Sequence, residues 1–325
     1  MIKSVEVINY LGDPPLVLEL TDPWKTGLYV KSITGIGPGK ASINVTDLAS
    51  DDGGIFNSAR AETRNIVLTL GMLDGFIDGV YQSIETSRQK TYRYFAKKRW
   101  LTLILHTDNR DLYIEGYVES NEPDIFSKDE TTQISIICPD PKWYKAGPRD
   151  WSTFGGIENL FEFPYSNEGI PAIADLDKIT VDDQVIEGNV TMFGRIVEIE
   201  NVVINYQGEV ETGVEMYIHF DTSAAGLEVF NVDTGERLGI DDAKVAAVVG
   251  SGIQANDEIT ICTIHGKKSA ILTRDGVSYN IINALGRNPA WFQLYQGDNT
   301  FTFNASAGRE GITFIMYYTL AFEGV

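Results

Sequence analysis

Apolar residues in this chain come almost entirely in short, branched runs closed by turn residues, a pattern that favours strand after strand and leaves little room for helix. Val5-Glu6-Val7-Ile8, Leu16-Val17-Leu18-Glu19-Leu20 and 27–33 are punctuated by Gly12-Asp13-Pro14-Pro15 and Thr21-Asp22-Pro23. Branched side chains suit a pleated surface, while Pro and Gly interrupt the ladder. The same signature marks 65–70, 100–105, 112–118 and 133–138. In the second half it marks 195–205, 214–220, 227–231, 258–264, 270–274, 291–294, 300–304 and 312–322. Turns are expected at Asp233-Thr234-Gly235, His265-Gly266, Asp275-Gly276 and Gln296-Gly297-Asp298-Asn299. Strands at this spacing predict antiparallel β-sandwiches.

One segment departs from the pattern. Ile84, Arg88, Tyr92 and Phe95 recur at helical spacing, Ser83 is placed to cap the start, and Glu85 lies in the first turn. Arg93, Lys97, Lys98 and Arg99 gather at the other end, where cations favour the helix dipole. A helix is therefore predicted over 83–95.

At 325 residues the chain exceeds one ordinary domain. Residues 1–147 hold 16 basic and 20 acidic side chains, whereas 148–325 hold 10 and 26. This shift coincides with Cys138-Pro139-Asp140-Pro141 and Gly147-Pro148, so a boundary is expected near residue 147, giving domains 1–147 and 148–325. Residues 148–204 read as an extended lead-in with extra strands on the second sandwich. A net charge of −20 opposes nonspecific binding to nucleic acid or to an anionic membrane. The first residues alternate like a strand, and no apolar run approaches the ~18 residues a membrane helix needs; a chain used without crossing a membrane is expected.

Gly35-Ile36-Gly37-Pro38-Gly39-Lys40-Ala41 lacks the spacing and the hydroxyl of a phosphate loop and is expected to join two strands, the second over 41–47. His106, His219 and His265 lack partners at metal-ligand spacing beyond Cys262, so no metal site and no cofactor are expected. Cys138 and Cys262 follow apolar strand residues and read as buried. Asp51-Asp52 and Asp182-Asp183 are acid pairs in name only, and Thr107-Asp108-Asn109-Arg110-Asp111 reads as a hairpin turn. No catalytic residue is assigned, and a binding or assembly protein is expected rather than an enzyme.

Several passages together resemble the distal tail proteins of long, noncontractile-tailed bacteriophages. They are Asp52-Gly53-Gly54-Ile55-Phe56 through Arg64-Asn65-Ile66-Val67-Leu68, the helix with Arg88, Tyr92 and Phe95, and Tyr113-Ile114-Glu115-Gly116-Tyr117-Val118 through Asn121-Glu122-Pro123. Gln133 to Pro141, Asn205-Tyr206-Gln207-Gly208, Trp291-Phe292-Gln293-Leu294 and Phe322-Glu323-Gly324-Val325 complete the likeness. The resemblance implies an amino-terminal sandwich with a helix, six copies of which close into a ring, and a galectin-like second sandwich. It also implies a homohexamer at the virion tail tip, made in the cytoplasm of the bacterial host. That ring would meet the tail tube protein, the tail-associated hub or lysin protein and receptor-binding proteins, around a channel that passes DNA without binding it specifically. The polar stretch 51–64 is expected to reach a neighbouring subunit. Asp51, Asp52, Phe56, Arg60, Arg64, Arg88 and Arg93 are the candidate interface residues. The alternative is a carbohydrate-binding module for host cell-wall glycans, with Trp151, Trp291 and Tyr295 available to stack on sugars, although Trp291 is expected mid-strand in the core.

Overall fold

The computed structural model describes residues 1–48, 52–155, 178–181, 184–187, 201–286 and 288–325, and they form two compact units. The first comprises Met1–Asp150, Gln207–Thr212 and Thr319–Val325; the second comprises Trp151–Tyr206 and Gly213–Tyr318. The second half of the chain thus contributes two short stretches to the first unit.

The first unit is built on β1 (Ile2–Asn9), β2 (Leu16–Glu19), β3 (Leu28–Thr34), β4 (Ala41–Asp47), β5 (Gly54–Ala61), β6 (Arg64–Met72), β7 (Gly75–Ile77) and β8 (Val80–Gln82). Then follow α1 (Ile84–Tyr94), β9 (Trp100–Thr107), β10 (Asp111–Asp124), β11 (Thr131–Cys138) and β12 (Trp143–Lys145). Each strand expected in the first half is present. The main sheet runs β2-β1-β9-β10-β11-β6-β3, with β12 joining β10 to the strand Ala321–Phe322. Its edge strands β2 and β3 approach each other, so the sheet folds over into two layers. Alternation puts Val5, Val7, Leu103, Leu105, Leu68 and Leu70 into one dry core with Phe95 and Trp143. Burying each such side chain contributes about 1.5–3 kcal/mol against conformational entropy.

Helix α1 begins as its sequence dictates. The Ser83 side chain accepts from the Thr86 amide, Glu85 lies in the first turn, Arg93 lies in the last, and Phe95 caps the end while plugging the core.

In the second unit, β13 (Asp150–Gly155), β26 (Ile312–Tyr318), β18 (Glu215–Phe220), β21 (Glu258–Cys262), β22 (Ser269–Arg274) and β23 (Val277–Asn280) form one sheet in that order. The other sheet is β16 (Asn201–Tyr206), β25 (Gly297–Asn304), β19 (Glu228–Asn231) and β20 (Arg237–Gly239). Phe303 of the second sheet meets Phe314 of the first at 4.7 Å between ring centroids, and Phe314 stacks on Phe154 at 4.4 Å. The two sheets therefore pack face to face across aromatic rings, as a sandwich. Two further hairpin strands, β14 (Lys178–Val181) and β15 (Gln184–Glu187), are paired antiparallel. β17 (Thr212–Gly213) pairs with β24 (Gln293–Leu294). Asp182-Asp183, residues 195–200 and most of the lead-in 148–204 lie outside the described residues.

Three expectations are corrected. A second helix, α2 (Asp242–Val249), follows β20: Asp241 accepts from the Ala243 and Lys244 amides, and Gly250 ends it in the left-handed conformation. Only Val245 of this helix is buried, so helical periodicity is faint in the sequence, and the caps carry the signal. Gly297-Asp298-Asn299 begin β25 rather than ending a turn. The buried Asn299 side chain there donates to the Tyr295 carbonyl at 2.7 Å and accepts from its amide at 2.9 Å, holding the turn from inside. Trp291 is neither in a strand nor fully buried, and Lys268 Nζ lies 5.0 Å from its ring centre.

Candidate functional site

The stretch expected to be a long polar connection is half of a free-standing hairpin. β4 and β5 pair antiparallel from Ala41↔Ala61 at the root to Asp47↔Gly54 at the tip, and among the described residues they pair with no other strand. Residues directly opposite share a face, so Ile43, Ala59, Val45 and Phe56 lie on one side of the ribbon. Ser42, Asn44, Thr46, Ser58 and Arg60 lie with Ile55 on the other. That first side is bare: Ile43 is 63% exposed, Val45 48% and Phe56 63%. An isolated two-stranded ribbon is marginal in water, and this one leaves its apolar face uncovered by the rest of the described chain. Asp52 is exposed beside the tip; Asp51 lies outside the described residues. The sequence sign of this hairpin is the alternating run 41–47 followed, beyond Asp51-Asp52-Gly53, by a second run at 54–61.

At the root, Arg60 and Lys40 line a cavity of about 270 Å³ with Lys142, Glu211 and Glu323. It is also lined by Arg64, 5% exposed, whose Nε donates to the Pro141 carbonyl at 2.7 Å. Nη1 donates to Gly35 at 2.8 Å and also to Gly37, and Nη2 donates to Glu323 at 2.7 Å. Burial pulls the Arg64 pKa down, against the attraction of Cys138 and Glu323. A single guanidinium thus fastens the 35–40 loop, the proline turn before β12 and the last residues of the chain. The Gly-rich loop does join two strands, and its carbonyls face this cation.

The remaining cations of the candidate set lie at or near α1. Arg93 holds Asp13 in a bidentate pair at 2.8 and 2.6 Å, which keeps the Asp13 carboxyl below its usual range. Arg88 sits 3.5 Å from Glu130. Lys90 donates to the Thr26 carbonyl at 2.7 Å, and the Arg99 guanidinium lies 5.0 Å from the Tyr10 ring centre. Much of this basic run is therefore engaged within its own unit, while Lys97 and Lys98 are exposed.

The other chemistry-bearing residues also have structural partners. His106 Nε2 lies 2.9 Å from Glu6 and Nδ1 lies 3.1 Å from Asp111, bridging β1, β9 and β10. Burial opposes its protonation, but the hydrogen bonds to Glu6 and Asp111 together outweigh burial and raise its pKa. Asp108 in the β9–β10 turn accepts from the amino terminus at 2.6 Å. Burial pushes the Cys138 thiol up to about 12, with Arg64 opposing. Among the described residues no three His, Cys, Asp or Glu side chains cluster to hold a metal, and no helix is long and apolar enough to cross a membrane.

The described residues thus form two β-sandwich units, the first of which carries a capped helix and a two-stranded arm with an uncovered apolar face. The fold is that of a phage distal tail protein. It superposes on the crystal structure of the SPP1 Dit protein, described as a paradigm of the hub adsorption apparatus in phages infecting Gram-positive bacteria. That superposition has a TM-score of 0.61 and 12% identity, over 98% of this chain and 99% of the other. Two structures of the phage p2 baseplate in its activated conformation, with Ca and with Sr, align at 14% and 15% identity. They cover 100% and 97% of this chain, and the same shares of theirs, with TM-scores of 0.48 and 0.44. No family model and no curated protein sequence matches the chain. The resemblance drawn from the residues is borne out in the fold.

Proposed function

We propose that this chain is a structural component of a phage tail tip, a distal tail protein with no bond-making chemistry of its own. Six copies close into a ring that connects the tail tube to the tail-associated hub or lysin protein and to receptor-binding proteins. The observation that carries this reading is the likeness in fold to SPP1 Dit along essentially the whole of both chains, including both sandwiches. The bare apolar face of the β4–β5 arm supports it, because such a face is stable in water when another surface covers it. Asp52, Phe56 and Arg60 are the interface side chains the arm presents. Six copies of a chain with net charge −20 carry about −120, so a genome passing through the channel is repelled rather than held.

The solution mass of the purified chain, followed by electron-microscope images of the assembled species, tests this reading. A six-membered ring with an open centre is the expected result. A single copy or an open filament at every concentration overturns it.

A second reading, a carbohydrate-binding module, is favoured by one observation: Trp151 and Tyr295 are exposed and Trp291 is half-exposed in the second unit. Pull-down on whole cell wall by wild-type chain and by Trp151→Ala, Trp291→Ala and Tyr295→Ala variants separates the two readings. Retention that the variants lose supports the module.

A further inference from the structure

Charge along the β4–β5 arm is sorted by position. Lys40 and Arg60 stand at the root, where Lys40 immediately precedes Ala41 and Arg60 opposes Ser42. Asp47 and Asp52 stand at the tip, Asp47 opposing Gly54. Between them the ribbon is uncharged: Ile43, Val45 and Phe56 on one face, Ser42, Asn44, Thr46 and Ser58 on the other. Root and tip are seven residues apart along β4, roughly 20 Å of extended chain, so the two charge groups cannot meet within one arm. The root also contains Glu62, Glu211 and Glu323. Lys142 faces Glu211 at 3.5 Å, and Arg64 donates to the Glu323 backbone. Lys40 and Arg60 line the root cavity and are exposed.

We infer that the acidic tip of one arm seats on the basic root of the arm of a second copy, at Lys40 and Arg60, with the Ile43–Val45–Phe56 face lying against that copy. The inference rests on the ring reading above, which makes the contact head-to-tail. One end of the arm gives and the other receives, so each copy is both donor and acceptor, and the contact repeats until the rotation closes. Charge pairs at such a contact fix register and suppress wrong partners more than they add affinity. The apolar face supplies area, and the charges decide where along the neighbour it lies.

Charge reversal in the full chain, read by solution mass, tests this. Asp47→Lys with Asp52→Lys, and separately Lys40→Glu with Arg60→Glu, are each expected to weaken association by at least about tenfold. The chain carrying all four reversals is expected to recover it. Carbodiimide coupling of the wild-type assembly, which joins an amine directly to a carboxylate, is expected to give a Lys40–Asp47 or Lys40–Asp52 peptide between copies. A six-membered ring whose association ignores the reversals and yields no such peptide overturns this inference and leaves the ring reading standing. A two-membered assembly that obeys the reversals keeps the tip-to-root contact and overturns the ring. A chain that stays single and uncoupled overturns both.

Discussion

Arg64 Nη2 donates to the main-chain carbonyl of Glu323 at 2.7 Å, joining residues 259 positions apart in sequence. Because the same guanidinium also serves Pro141, Gly35 and Gly37, removing it strands several carbonyls at once. Hydrogen bonds from a charged donor contribute about 1.5–3 kcal/mol each when their loss leaves a buried acceptor unpaired. Arg64→Met is therefore expected to cost about 3–5 kcal/mol in the first unit, below a simple sum because the acceptors can relax toward water. Arg64→Lys should recover only part, since an ammonium cannot reproduce the planar fork. Urea titration followed by tryptophan fluorescence is the measurement, and a midpoint unchanged in Arg64→Met would sink the argument.

Gly35 stands at φ +81°, and a Cβ placed there would sit 2.1 Å from the Asn65 carbonyl oxygen. Both the backbone conformation and the clash penalise any side chain. Gly35→Ala is expected to lower stability by about 2–4 kcal/mol and, by shifting the carbonyl that Arg64 Nη1 holds at 2.8 Å, to be less than additive with Arg64→Met. A double-mutant cycle in urea reads this coupling, and strict additivity would show that the loop and the guanidinium act separately.

Ile43→Ser with Phe56→Ser addresses the arm. Both side chains are exposed, so the isolated chain should unfold within about 0.5 kcal/mol of wild type. Association, in contrast, should weaken, since each apolar side chain covered at a contact contributes on the order of 1 kcal/mol. Differential scanning calorimetry and solution mass on the same samples check both halves. A loss of intrinsic stability would mean the face is covered within the chain.

The core strands of the first unit were legible because turn residues bound them and they alternate against one buried face, as in Val5, Val7 and Leu16, Leu18, whereas the short strands β7, β8 and β12 were not. Helix α1 was legible because Ser83 and Glu85 sit where a cap requires them. Helix α2 was not, since one buried side chain, Val245, gives no apolar stripe to read. The arm was only half legible: 41–47 alternates like any strand, but alternation does not say whether the apolar face is covered. Arg64 resembled a surface cation in sequence because its acceptors are main-chain carbonyls, which leave no trace in residue type. Its neighbourhood is assembled from segments near residues 35, 141 and 323, and only the folded chain brings them together.

His106 makes the first unit's stability depend on pH near neutrality. Its folded pKa is raised by Glu6 and Asp111 despite burial, above the ordinary value near 6.5. The stabilisation is therefore fully present below about pH 6.5 and is lost as pH rises through the higher folded value. Asp13 and Asp108, with lowered pKa values, act with the opposite sign and only in acid. Thermal midpoints measured from pH 6 to 8.5 should fall in the wild type, and His106→Gln should flatten that slope. A slope that survives the substitution would assign it to another group.

Cys138 should be silent in the folded chain and reactive in the unfolded one. Burial has pushed its thiol up to about 12, so at pH 8 the thiolate fraction is on the order of 10⁻⁴, and the side chain has no exposed surface. In a Cys262→Ser background, modification by an aromatic disulfide reagent should wait for opening of the strand pair β6–β11, which holds Cys138 opposite Arg64. The modification rate should then rise with urea in step with unfolding, and Arg64→Met should raise it at zero urea by loosening that end of the sheet. Rapid labelling of the native Cys262→Ser chain would contradict the burial of the thiol and remove Cys138 from the core that Arg64 closes.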